Sequence, residues 1–228
     1  MAKYKIVCVH GFGSSRHDVA IVTSGMVEEL GVYFVSFDRP GYGGSDPDPK
    51  QTLKSIALDI EERADQLELG SKFYVIGVSM GGQVIWGCLK YIPHRLAGAM
   101  LIAPAKFSRQ DLEIISKLSE RQNYQEYATQ QGEFESFHCD MKIGFGSWEF
   151  DPMDLKNPFL DDEGSVHLWQ GNEDGLVPVT LQRYIAERLP WIHYHEVTDA
   201  GHLLPFADGM NDAILKALLL GEKSLWQR

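Results

Sequence analysis

Cysteine is scarce in this chain: three in 228 residues, Cys8, Cys88 and Cys139. An odd number at irregular spacing excludes a disulfide framework and points to reduced thiols, the usual state inside a cell. Cations are also in deficit. Lys and Arg number 21 against 32 Asp and Glu, a formal net charge of −11. A nucleic-acid binder needs clustered cations to meet phosphates, and a polybasic membrane anchor needs them to meet anionic headgroups, so both classes are disfavoured. Long apolar runs are missing. No stretch approaches the roughly 18 residues of a membrane-spanning helix. The opening MAKYKIVCVHGF holds no apolar segment of signal-peptide length. The expectation is a cytoplasmic protein with no membrane anchor and no nucleic-acid partner.

What is present fits an ordinary globular domain, with 44% hydrophobic and 23% charged residues. Short apolar runs alternate with helical patterns. Residues 5–9 (KIVCV), 32–37 (VYFVSF), 73–77 (FYVIG), 97–103 (AGAMLIA), 165–170 (SVHLWQ) and 192–197 (IHYHEV) read as strands. Between them, Leu53, Ile56, Ala57, Ile60, Ala64 and Leu67 share one face of a helix, and residues 81–91 form a helix apolar nearly all round. Residues 17–30 are weakly helical, 179–189 follow Pro178 as a helix, and 208–220 close the chain as another. This alternation predicts an α/β fold: a mostly parallel sheet of about six strands with helices on both faces. The rhythm stops over 106–164. That stretch reads as a helical part (111–130) followed by an aromatic, glycine-containing part with Phe134, Phe137, Phe145, Trp148 and Phe150. The division predicted is a core of 1–105 and 165–228 with a cap-like insertion of 106–164.

The stretch VIGVSMGG sets Ser79 between Gly77 and Gly81, directly after a strand and before the most apolar helix. The glycines leave room where a Cβ would collide in a tight turn. In open α/β sheets, ligands sit beyond the carboxyl ends of strands, so Ser79 is placed to react there. A serine hydroxyl needs a base within hydrogen-bond reach. His202 in DAGHLLPF, just after the last strand, is the candidate. The base in turn needs an orienting acid, and Asp174 in GNEDGLVP supplies one, although Glu173 adjoins it and either carboxylate could serve. His10-Gly-Phe-Gly follows the first strand to the same edge, so the backbone N–H groups of Phe12 and Met80 could hold an oxyanion, with His10 and Gly11 in support.

Taken together, HGFG, DRPGYGGSD, GVSMGG, GNEDGLVP and AGH, in this order and across nearly the whole chain, resemble the α/β-hydrolase superfamily. Their wording is similar to plant α/β-hydrolase-like proteins of uncharacterised substrate. The resemblance implies an α/β-hydrolase fold with Ser79 as nucleophile, Asp174 as acid, His202 as base, and Phe12 and Met80 amides at the oxyanion. It implies a serine esterase of small or medium, fairly apolar esters that works through an acyl-enzyme with no cofactor and no metal. Two family features are lacking: two strands usually precede the one at 5–9, and the cap is usually longer than 106–164. A cofactor-free perhydrolase would use the same triad. A ligand receptor of this fold could keep it with little turnover.

Other polar residues invite plainer readings. His193 and His195 share a strand face but have no third ligand nearby, so they read as surface or edge residues and not a metal pair. Glu133, Glu135, His138, Cys139 and Asp140 read as a solvated cap segment. Asp38 and Arg39 are expected to tie down the DRPGYGGSD loop, Cys8 and Cys88 to pack, and Asp199 to sit in a turn. The cap aromatics fit either an acyl pocket or the cap's own underside.

Overall fold

The computed structural model describes residues 2–18, 24–104, 125–159 and 163–222. Every apolar run above forms a strand: β1 (Tyr4–Val9), β2 (Val32–Ser36), β3 (Phe73–Val78), β4 (Leu96–Ile102), β5 (Val166–Gly171) and β6 (Ile192–Val197). They make one sheet in the order β2-β1-β3-β4-β5-β6, every pair parallel. Alternate residues of each strand feed two cores. Val7, Val9 and Val75 point to one, Ile6, Cys8 and Ile76 to the other. A sheet buried on both faces explains why these strands read as unbroken apolar runs.

The first core is covered by α2 (Leu53–Gln66), α3 (Met80–Tyr91) and α5 (Val179–Arg188), the second by α6 (Met210–Leu220). Thr52 caps α2: its hydroxyl accepts from Ser55 N–H, and the Ser55 hydroxyl accepts from Thr52 N–H. Leu53, Ile56, Ala57, Ile60 and Ala64 bury one face as the spacing predicts, but Leu67 lies past the last helical residue and is 45% exposed. Helix α3 is buried from Met80 to Leu89, wedged between α2 and the sheet. A Cβ on Gly87 would stand 2.7 Å from the Leu53 carbonyl oxygen, so glycine sets that close approach. Helix α1 spans Ser24–Leu30, within the expected 17–30; residues 19–23 lie outside the described part.

The chain runs from β1 outward to β2, then crosses back to β3 on the other side of β1. Parallel sheets bind ligands at such a switch point, where neighbouring loops diverge. Val9 pairs with Gly77, so the loops after β1 and β3 leave the sheet side by side; Gly171 pairs with Val197, so those after β5 and β6 do as well.

Most of the predicted helical part 111–130 lies outside the described residues; within it, Gln125–Ala128 is a helical turn. Three expectations need correction. The part read as merely aromatic and glycine-containing begins with a 13-residue helix, α4 (Glu133–Phe145). Its buried stripe is Ser136, Cys139, Asp140 and Ile143, and the two polar members hid it from a hydrophobic pattern. Asp140 and Cys139 are therefore not solvated. Finally, β6 is an edge strand and His193 is exposed, but His195 is buried. Its ring stacks on Trp169 at 4.1 Å, and its Nε2 is 2.8 Å from Nδ1 of buried His167.

Candidate active site

Ser79 sits between β3 and α3 with φ 53° and ψ −117°. A non-glycine residue in this region carries strain of about 1–3 kcal/mol and stays there only where its surroundings insist. They do. Ser79 N–H donates to the Ile102 carbonyl at 2.8 Å, and Gly82 N–H donates to the Ser79 carbonyl at 2.9 Å. A Cβ on Gly77 would lie 2.3 Å from the Gly81 oxygen, and one on Gly81 would lie 2.1 Å from the Val9 oxygen. Both glycines are thus required for the elbow to seat against β1. Gly11 lies against the serine: a Cβ there would be 3.5 Å from Ser79 Cβ.

The loop after β1 is held by a defined set of bonds. Arg39 N–H donates to His10 Nε2 at 3.1 Å, so the imidazole proton is on Nδ1, which donates to the Gly11 carbonyl at 2.9 Å. Burial, and then the nearby Arg39 charge, hold the His10 pKa well below its ordinary value, in keeping with a neutral ring. Asp38 accepts from Arg16 N–H at 2.8 Å, Gly44 N–H at 3.0 Å and the Tyr127 hydroxyl at 3.0 Å, fastening its loop as expected. Arg39 does more than that. Its fully buried guanidinium pairs through both terminal nitrogens with Asp140 of α4 and donates to the Gly11 carbonyl at 2.8 Å.

Across the sheet edge, Asp174 Oδ1 accepts from the N–H groups of Leu176 (2.8 Å) and Val177 (2.9 Å). Its Oδ2 accepts from Gln170 Nε2 and from His202 Nδ1, both at 2.9 Å. Burial pushes the Asp174 pKa up, but the His202 bond and charge and the two backbone N–H groups outweigh it, and the net shift is downward. The Asp174 carboxylate is wholly buried, and the His202 ring is 15% exposed. Glu173 is exposed, and no bond joins it to His202. The carboxylate fixes the proton on Nδ1 and leaves Nε2 with its lone pair. A Cβ on Gly171 would stand 2.2 Å from the Ala200 oxygen, so the His202 loop crosses directly over the end of β5.

The structure brings together Asp174 with His202, and Gly11 with Ser79, at one carboxyl edge. Met80 opens α3 with its side chain buried, and the Phe12 ring stacks on Phe137 of α4 at 5.1 Å. Sequence reasoning gave no part in the site to Gln170, hidden in the apolar run of β5, to Tyr42, unremarked within DRPGYGGSD, or to Asp140, read as solvated; all three are buried. Cys8 and Cys88 are buried packing residues whose thiols burial pushes up to about 12. Asp199 sits at φ 57° in a turn, its N–H donating to Asn172 Oδ1. Trp148 and Phe150 pack on the first core and line a cavity of about 530 Å³ with Gln83, Trp86, Met153 and Leu181. Neither Ser79 nor His202 lines it. Among the described residues no group of three or more His, Cys, Asp or Glu is placed to hold a metal ion, and no helix is long and apolar enough to cross a membrane.

Comparison with known proteins places the chain. It is 34% identical over 128 residues to the abhydrolase domain-containing protein abhd-5.2 of Caenorhabditis elegans, covering 53% of this chain and 28% of that protein. It is 28% identical over 127 residues to the human monoacylglycerol lipase ABHD6, covering 53% of this chain and 36% of that protein. The chain therefore spans about a third or less of the curated relatives it matches. A thermophilic esterase from Thermogutta terrifontis superposes with a TM-score of 0.68 at 20% identity, over 94% of this chain and 89% of that one, a likeness of fold. The model of the alpha/beta hydrolase family matches residues 6–217, from within β1 through β6 and both halves of the candidate site, and the chain belongs to that family.

Proposed function

We propose that this chain is a serine hydrolase, a carboxylesterase of small to medium, fairly apolar esters. Ser79 Oγ attacks the ester carbonyl while His202 Nε2 takes its proton. Asp174 holds the imidazole and steadies the charge it gains. The N–H groups of Phe12 and Met80 bind the oxyanion, each worth on the order of 3 kcal/mol in the transition state. His202 passes its proton to the departing alcohol, leaving Ser79 acylated. Water, deprotonated by His202, then releases the acid and restores the serine. The cap-like segment is 106–164, and its helix α4 meets the 10–13 loop through Phe137.

The observation that carries this reading is the strained backbone of Ser79. With ψ −117°, Ser79 lies far from the left-handed helical well that ordinary turns use, a conformation costly for a non-glycine residue and held here between two glycines that contact requires. The names of two similar proteins, an esterase and a monoacylglycerol lipase, favour ester chemistry for this chain. The test is hydrolysis of nitrophenyl esters of increasing acyl length by the wild type and Ser79→Ala. The expected result is turnover by the wild type, greatest for short to medium chains, and loss of at least about 10³-fold in the variant. Equal rates in the two proteins would reject the assignment.

A further inference from the structure

Helix α4 meets both the loop that carries Phe12 and the loop after β2 that braces it. The Phe137 ring stacks on the Phe12 ring at 5.1 Å. The Ser136 hydroxyl donates to the Gly41 carbonyl. Asp140, 1% exposed, pairs with Arg39 and accepts from the Tyr42 hydroxyl at 2.6 Å. Arg39 reaches the Gly11 carbonyl, and the Tyr42 hydroxyl accepts from Gly13 N–H at 3.4 Å. Arg39 and Tyr42 are both fully buried, so these links run through the protein interior and not across its surface.

The Gly11 carbonyl belongs to the same peptide unit as the Phe12 N–H. That unit is planar and trans, so the two groups point in opposite directions, and fixing one fixes the other. Two donors fix the carbonyl, His10 Nδ1 at 2.9 Å and Arg39 Nη2 at 2.8 Å. His10 is local. Arg39 can stay at Gly11 only while its charge has a partner, because an unpaired buried guanidinium is strongly unfavourable. That partner comes from α4.

We propose that Asp140 is a positioning residue which, through Arg39 and Tyr42, sets the direction of the Phe12 N–H, so that docking of α4 assembles the oxyanion site. The inference rests on the hydrolase reading above. If α4 lifts, Arg39 loses its carboxylate, the Gly11 carbonyl keeps only the local His10 donor, and the Gly11–Phe12 peptide is held less firmly. The inserted segment then governs catalysis and not only access. An ion pair that merely glued α4 to the core would have no need to reach the Gly11 carbonyl; apolar residues of similar volume would serve as well.

The test compares a nitrophenyl ester with the matching thionoester. Backbone N–H groups stabilise a developing O⁻ far better than the larger, softer S⁻, so the ratio of the two rates reads the oxyanion site directly. Arg39→Met combined with Asp140→Leu removes the bridge without leaving a buried charge unpaired. We expect this variant to melt cooperatively and to lose about tenfold or more in kcat for the oxygen ester, a fraction of the 10²–10³ that complete loss of one donor brings. KM should change little, and the oxygen-to-sulfur ratio should fall. Tyr42→Phe, which removes one hydroxyl only, should move the ratio the same way by a smaller factor, and it decides alone if the double variant fails to fold. Folded variants with the wild-type ratio would overturn the inference and leave the hydrolase reading intact. Absence of turnover by the wild type would overturn both.

Discussion

At Ser79, Asp174 and His202 the local sequence says different amounts. The serine was legible because its flanking glycines are demanded by contact: a Cβ at either Gly77 or Gly81 would overlap a backbone carbonyl. Asp174 reads as the acid with Glu173 left open beside it, because the neighbours have the same chemistry and only the turn decides which carboxylate faces inward; it buries Asp174 against His202. The Leu176 and Val177 N–H groups and Gln170 collect around Asp174. Asp174→Asn should keep the fold and lower ester kcat by about 10³–10⁴-fold, since an amide no longer holds the imidazole with its proton on Nδ1. Glu173→Gln should leave steady-state kinetics within about twofold, the range of exposed substitutions away from such sites. The reverse order of effects in an ester assay would move the acid to Glu173.

At the scale of elements, strands and glycine-bounded turns were readable because burial on both faces leaves no polar position to blur them. Helix α4 was not, because Ser136 and Asp140 occupy its buried face and serve partners nearly a hundred residues away in sequence, Gly41, Arg39 and Tyr42. A pattern of hydrophobicity registers water avoidance and cannot register a carboxylate whose burial is made tolerable by a distant guanidinium. The contact between β1 and α3 provides a test at this scale. Gly81→Ala would place a Cβ 2.1 Å from the Val9 oxygen, backbone that cannot yield as a side chain would. The expected loss is about 3 kcal/mol, or roughly 6–12 °C in melting temperature. Gly25→Ala in α1 meets nothing within 4 Å and should be neutral or slightly stabilising. Calorimetry of the two variants checks both, and equal melting temperatures would contradict the seating of α3 on β1.

For the whole molecule, a parallel sheet of about six strands with helices on both faces followed from the alternation, whereas the strand order β2-β1-β3-β4-β5-β6 and the burial of the histidines of β5 and β6 did not. His167 and His195 are packed between Ser165, His193 and Trp169, with Ser165 Oγ 2.8 Å from His167 Nε2. Burial first, then the neighbouring histidines, push the His167 pKa from 6.5 down to about 3; burial and His193 push that of His195 down to about 4. Below pH 6.5 the unfolded chain binds protons that the native state refuses, so stability rises with pH across this window and is lost as pH falls from 6.5 toward 3. Each histidine adds up to about 1.4 kcal/mol per pH unit to that slope. The melting temperature should therefore drop between pH 6.5 and 4.5, and His195→Gln should flatten the drop; parallel curves would show that the pair does not titrate in this way. The measurement that bears most directly on the account as a whole is covalent labelling by a fluorophosphonate, followed by intact mass and peptide mapping. One adduct per chain, on Ser79, formed with loss of ester turnover and absent from Ser79→Ala, is the predicted result. An adduct elsewhere, or equal labelling of Ser79→Ala, would contradict it.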